Sequence, residues 1–236
     1  MKNLKAFMIL LVSVATLVSC NDDTEYVLPP LQGKGDVFVR CIKDGDEIKY
    51  APVLYAMSNY YIDTAIVAGP GANGSDYQLS GYWGDKSVFR SVPENEDFTT
   101  SDITNGIYEF EIVSGLDTLD VEDKLLDSRI DPMEITDLSY EQNTHEFDIT
   151  WNEIENADVY VVKIMDGIDG RYLYVSDRLS KTEHEFSQYS RGWSNFEKTA
   201  GKTYVLGVFA YEFEDKDEQS GSDLNSETVE YREIEW

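Results

Sequence analysis

Apolar side chains recur at every second position in short runs along this chain, with almost no recurrence at helical spacing. In Ile107-Tyr108-Glu109-Phe110-Glu111-Ile112, Tyr108, Phe110 and Ile112 fall on one side, Glu109 and Glu111 on the other. Phe147-Asp148-Ile149-Thr150-Trp151 repeats the pattern, and in Val159 to Ile164 the set is Tyr160, Val162 and Ile164. A period of two describes strands with one dry face and one wet face. Such strands need a second layer to cover the dry face, so the chain is restricted to sandwiches and barrels. Asp36 to Arg40, Tyr77 to Tyr82, Leu119 to Lys124, Arg171 to Ser176, Val205 to Tyr211 and Glu227 to Ile234 read as further strands, and Tyr50 to Val67 is apolar and β-rich. The turn-forming segments Gly69 to Ser75 and Asp166 to Gly170 interrupt them.

The 236 residues allow one large domain or two of about 100 residues each. Asp127-Ser128-Arg129-Ile130-Asp131-Pro132 reads as a junction, because Pro132 cannot donate to a ladder and suits the start of a strand. Residues 36–127 then hold about seven short strands, as an immunoglobulin-like β-sandwich needs. Asn105-Gly106-Ile107-Tyr108 in that block looks like an immunoglobulin-type tyrosine corner. In residues 131–236, Ile149-x-Trp151, then Ala157-x-x-Tyr160-x-Val162, then Gly201-x-x-Tyr204-x-Leu206-x-Val208-x-Ala210 resembles the fibronectin type III domain. The resemblance implies that Trp151 and Tyr160 are core residues of the second and third strands. It implies too that Tyr204 is a tyrosine corner, its hydroxyl bonded to nearby backbone. Ser187 to Ala200, with Arg191-Gly192-Trp193, is longer than that family's usual link. The expectation is an all-β chain of two tandem β-sandwiches, the second standing off beyond the first.

The N-terminus gives an address. Lys2 and Lys5 precede Ala6 to Ser19, an apolar stretch too short to span a bilayer, so residues 1–19 read as a signal peptide. The stretch ends in Leu17-Val18-Ser19-Cys20, which resembles the lipobox of bacterial lipoproteins. The resemblance implies that Cys20 becomes a lipidated N-terminus, and several acyl chains on one residue anchor stably where one is marginal. Residues 20–35, with Pro29-Pro30, Gly33 and Gly35, read as lipidated Cys and spacer. With Cys20 acylated, Cys41 has no partner for a disulfide, and its apolar run reads as strand core. An acidic residue at the second position after Cys can signal inner-membrane retention. The run Asn21-Asp22-Asp23-Thr24-Glu25 also resembles the export signal of lipoproteins serving starch-utilisation-type glycan uptake systems. The acidic, Tyr-rich style of the chain favours the second, a lipid anchor in the outer membrane with the protein exposed at the cell surface.

Composition excludes some functions. With 46 Asp+Glu against 19 Lys+Arg the net charge is -27, so nucleic-acid binding is excluded for want of clustered cations. No cofactor or metal motif is present: His145 and His184 each sit in His-Glu-Phe, not in a zincin pattern. Asp215 to Asp223 looks like a calcium loop but misses the EF-hand spacing and reads as a solvated hairpin. No catalytic residues are assigned, and the chain reads as a non-enzyme. Trp residues beside Gly outside clean alternation make Tyr82, Trp83, Arg191 and Trp193 the candidate ligand-binding residues, since sugars stack on exposed aromatic faces beside polar groups. The packing alternative is that each Trp lids its own sandwich. Asp63-Thr64-Ala65 and Asp117-Thr118-Leu119 match a bacterial O-glycosylation motif. The expected role is a surface binding or accessory module that captures glycan, with a structural, adhesion or spacer subunit of a surface complex as the alternative. Replacing Cys20 with Ser should abolish fatty-acid labelling and move the protein from the membrane to the soluble fraction. Unchanged labelling would remove the anchor.

Overall fold

Alternation becomes strands throughout the computed structural model, which describes residues 28–70, 76–82, 84–214 and 223–236. The chain is all-β, with no α-helix among the described residues. The first half supplies β1 Gly33–Asp44, β2 Glu47–Ser58, β3 Thr64–Ala68, β4 Asp76–Gln78, β5 Ser80–Tyr82, β6 Asp85–Ser91, β7 Gly106–Ser114 and β8 Asp117–Leu125. The second supplies β9 Ile135–Glu141, β10 Glu146–Trp151, β11 Val159–Met165, β12 Tyr172–Val175, β13 Glu183–Ser187, β14 Thr203–Phe213 and β15 Leu224–Glu235.

These strands make two cores. In the first half, β1-β2-β6-β5 faces β4-β3-β7-β8 over Val37, Val39, Leu54, Ala65, Val67, Tyr108, Phe110 and Ile112. In the second, β9, β10 and β13 face β12-β11-β14-β15 over Ile149, Trp151, Tyr160, Tyr174, Tyr204, Leu206 and Trp236. Both strand groupings are those of immunoglobulin-type sandwiches. Tyrosine corners mark each half. Tyr108 donates its hydroxyl to the Thr104 carbonyl at 3.0 Å, and the Tyr204 hydroxyl accepts the Thr199 N–H at 2.9 Å. Trp151 and Tyr160 pack at 5.5 Å between ring centres, and the Tyr160 hydroxyl accepts the Ile154 N–H. Burying an aromatic of this size is worth roughly 2–3 kcal/mol.

The halves do not follow one another in line. β1 runs parallel to β15, with Val39 beside Ser226, Arg40 beside Glu227 and Cys41 beside Thr228. One eight-stranded sheet, β12-β11-β14-β15-β1-β2-β6-β5, therefore serves both cores, and Leu31–Trp236 forms one compact unit. Parallel neighbours cannot be joined by a tight hairpin; here almost the whole unit is the crossover. The segment after β8 is fastened to β15 by side chains. Asn225 Oδ1 accepts the Leu126 N–H at 2.9 Å, Ser226 Oγ the Ile130 N–H at 3.2 Å, and Thr228 Oγ1 the Met133 N–H at 3.1 Å. The Glu230 carboxylate accepts the Ile135 N–H. Backbone groups at the expected junction are thus paired, as buried N–H groups must be, and the segment is a strap along β15.

The long sheet also curls. Tyr82 of β5 and Tyr172 of β12, on opposite edge strands, approach to 6.1 Å, and Arg90 of β6 donates to the Asp169 carbonyl in the β11–β12 turn at 2.7 Å. The face turned away from the two sandwich cores is thereby enclosed. It holds a third cluster of Met165, Val205, Phe209 and Val229, edged by Tyr172, Tyr211 and Tyr231.

Two local expectations need correction. Tyr77 to Tyr82 is not one strand: Leu79, 4% exposed, is where the chain crosses from β4 in one sheet to β5 in the other. Gly33 and Gly35, read as spacer, belong to β1. A Cβ on Gly35 would lie 2.3 Å from the Phe110 ring, so this glycine permits close packing.

Because the strap and the seam share β15, both cores should open together. Hydrogen exchange of β7 and β11 amides should report one unfolding free energy. Asn225→Ala should lower it in both halves by about 1–3 kcal/mol for each buried group left unpaired. Loss of protection in one half alone would contradict a shared sheet.

Candidate functional site

A cleft of about 210 Å³ opens where the curled sheet crosses the β1–β15 seam. Strand alternation sets its lining. On β1, Val37, Val39 and Cys41 point to the first core, so Asp36, Phe38 and Arg40 point into the curl. On β11 and β14, Lys163, Phe209 and Tyr211 do so because Val162, Ile164, Val208 and Ala210 fill the second core. Tyr55 from β2, Tyr172 from β12 and Glu227 from β15 complete the walls.

Charge is concentrated here. Arg40, 5% exposed, donates through Nε to Glu227 at 2.5 Å and through both terminal nitrogens to Asp169 at 2.5 and 3.0 Å. Burial opposes its charge, but Glu227, Tyr231 and Asp169 outweigh burial and hold the guanidinium protonated. Asp169 reaches in from a left-handed turn position, φ 50°, and also accepts the Tyr231 hydroxyl at 3.2 Å. Lys163 sits in a ring of aromatics, its Nζ 3.9 Å from the Phe209 ring centre, 5.0 Å from Tyr172 and 5.4 Å from Tyr211. It donates to the Tyr211 hydroxyl at 2.7 Å. Burial drives its pKa down to about 8, against the pull of Glu227. At the mouth, burial and then Asp123 push the Asp36 carboxyl well above the usual range, although Asp36 accepts the Leu224 N–H at 3.2 Å.

Of the residues expected to bind ligand, Tyr82 is not brought together with Arg191 and Trp193. Tyr82 lies at the seam of the curl, with the Arg90 guanidinium 4.2 Å over its ring and Tyr172 beside it. Trp83, Cys20 and most of the Asp215 to Asp223 loop lie outside the described residues. Trp193 belongs to the second core, on the other face of β12. Its Nε1 donates to the Ser187 carbonyl at 2.8 Å, Tyr174 and Trp236 flank it, and Lys198 stands 4.4 Å over the ring. It lids its own sandwich. In its segment the exposed rings are Tyr189 at 87% and Phe196 at 44%, and Arg191 is exposed. The long link has a use: Val175 donates to the Gly192 carbonyl and Ser194 to the Leu173 carbonyl, which covers the open edge of β12. Thr64 and Thr118, of the two O-glycosylation motifs, flank Val113 on β3 and β8.

Groups able to do catalysis are absorbed elsewhere. Cys41 is fully buried and its thiol is pushed up to about 12, mainly by burial. His145 stacks on Trp236 at 4.1 Å and bonds the Tyr140 hydroxyl; His184 bonds the Tyr174 hydroxyl, and burial lowers its pKa. Among the described residues no three His, Cys, Asp or Glu are placed to hold a metal ion. The outer sheet faces are acidic, with Glu109 beside Glu122, Glu111 beside Asp120, and Asp148 beside Glu185. Sequence reasoning passes over the cleft because Arg40, Lys163 and Glu227 are single charges within apolar strands, and only the pairing of β1 with β15 brings them together.

No family model and no curated protein matches the chain. Among solved structures, it is similar to the CD2-binding domain of CD58 (lymphocyte function-associated antigen 3), at 10% identity and TM-score 0.24, covering 86% of this chain and 93% of that one. It is also similar to a tetra-tandem repeat from the extending region of a large adhesion protein, at 11% identity and TM-score 0.26, covering 88% of this chain and 50% of that one. A biofilm-associated protein BSP domain matches at 9% identity and TM-score 0.28, covering 84% and 51%. Likenesses this distant carry no argument about this chain, and its fold stands on its own strand order.

The buried ammonium gives a pH signature. Lys163 has a folded pKa near 8 against 10.5 when free, so above pH 8 the unfolded chain binds the extra proton. Its contribution to unfolding free energy therefore rises between about pH 8 and 10.5, opposed above pH 9 by Cys41, whose thiol burial raises from 9.0 to about 12. Higher still, Tyr172, Tyr211 and Tyr231, whose pKa values burial raises, act in the opposite sense. Denaturant titrations between pH 8 and 9, below the range where Cys41 contributes, should show this slope in the native chain and not in Lys163→Met.

Proposed function

We propose that the chain is a lipid-anchored, non-catalytic binding module of the cell surface that captures glycan. The observation that carries this reading is the cleft across the β1–β15 seam. Aromatic rings wall it, polar groups face into it, and its about 210 Å³ suits a single small ring. Sites for drug-sized ligands run to roughly 300–1,000 Å³. Ring stacking with a few directed polar groups is the general logic of sugar recognition. The absorption of Cys41, His145 and His184 into structural contacts supports a non-catalytic role. The anchor at Cys20 and the surface address are supported by the leader alone.

A structural or adhesion role has its own support. The outer faces carry like charges directly opposite one another, an arrangement that weakens a sheet by itself and suits a basic partner. A glycan panel, with and without calcium, separates the readings when run on the full-length lipoprotein in detergent. Glycan capture through the cleft predicts binding that Tyr172→Ala or Tyr55→Ala weakens at least about tenfold, a loss of about 1.4 kcal/mol. Absence of binding to every glycan would transfer the assignment to the structural role.

A further inference from the structure

The cations around the cleft are unequally occupied. The Arg40 guanidinium is consumed by Glu227 and Asp169. Arg90 is turned to the Asp169 carbonyl, with a long contact of 3.4 Å to the Tyr55 hydroxyl. Lys163 differs. Its ammonium has three N–H donors and, among the described residues, one hydrogen-bond acceptor, the Tyr211 hydroxyl. No carboxylate lies within ion-pair distance of it among the described residues, although Glu227 lines the same cleft. Of the two cations that line the cleft, Arg40 holds Glu227 and Asp169, and the third lining carboxyl, Asp36, accepts the Leu224 N–H, which leaves Lys163. In a chain of net charge -27, Lys163 is thus a cleft cation with no carboxylate bound to it among the described residues.

The space beside Lys163 exceeds what a lone anion fills. About 210 Å³ corresponds to roughly seven waters at liquid volume, and Phe38, Tyr55, Tyr172 and Phe209 border it. Apolar ring faces with one under-used cation fit a ring that carries a negative group at its edge. We infer that the cleft selects an anionic sugar residue, the acidic group pairing with Lys163 and the ring lying against Tyr172 and its aromatic neighbours. The inference rests on the glycan-capture reading and adds the charge class of the sugar. A compact ammonium, unlike a fork-shaped guanidinium, pairs with carboxylate and sulfate alike, so the shared chemistry is a monoanion on the ring.

Calorimetry on the full-length lipoprotein in detergent tests this with one oligosaccharide backbone ending in a neutral sugar, a uronate or a sulfated sugar. At least one acidic form should bind about tenfold or more tighter than the neutral form, and which acid binds identifies the group. Added salt should shrink that preference as the pair is screened. Lys163→Met should erase the preference, so that within this variant the acidic forms bind no tighter than the neutral form. If that variant does not fold, Tyr172→Leu should weaken acidic and neutral forms by the same factor and keep the preference. Equal affinities for all three ligands, or a preference that survives Lys163→Met, would overturn the inference while sparing the wider glycan reading; undiminished binding in Tyr172→Leu would overturn capture through the cleft and the inference with it. Failure of every sugar to bind would overturn both.

Discussion

Three registered residue pairs between β1 and β15 turn two sandwiches into one object. Without that parallel seam, β1-β2-β6-β5 and β12-β11-β14-β15 would be separate four-stranded sheets, each with an exposed edge at the place where they now join. Joining them removes two edges that would otherwise invite pairing with other chains. It also gives the segment from Leu126 to Ile135 a wall to lie on, since side chains of β15 accept four of its N–H groups, while Asn152 accepts that of Glu134. The curl of the sheet, the enclosure of its outer face and the cleft itself follow from having eight strands in a row.

Inside that curl, electrostatics and packing set opposing demands. A buried ion pair offers little net stability, because its attraction is offset by the water both charges lose. Arg40, Glu227 and Asp169 are better read as a device of geometry. They join β1, β15 and the β11–β12 turn, three places far apart in sequence, and fix how tightly the sheet closes. Lys163 is held beside them at a cost that its ring of aromatics only partly offsets.

Much of the architecture was legible from alternation alone. Tyr108, Phe110 and Ile112 face a core as their spacing requires, as do Ile149, Trp151, Tyr160 and Val162. The tyrosine corners at Tyr108 and Tyr204 were readable because a hydroxyl four or five residues from its backbone partner is a local device. The seam was not legible. A period of two says which side of a strand is buried, but not which strand lies beside it. A parallel pairing of the first strand with the last leaves no turn signature between them. The same blindness hid the cleft and misdirected attention to Trp193. A Trp beside Gly192 reads as a loop aromatic, whereas the glycine, at φ 101°, lets its chain lie against β12 and carry the indole onto the core.

The position of β1 has a mechanical meaning. A pull at the Leu31 end of the unit runs along β1, whose residues from Gly33 to Asp44 are all registered with β2 and whose centre is registered with β15. Hydrogen bonds lying across the direction of pull are strained together in shear, whereas a hairpin opened from its end loses them one after another. The strand nearest the proposed tether is therefore the one clamped on both sides, and tension arriving there is divided between the two cores before either can open.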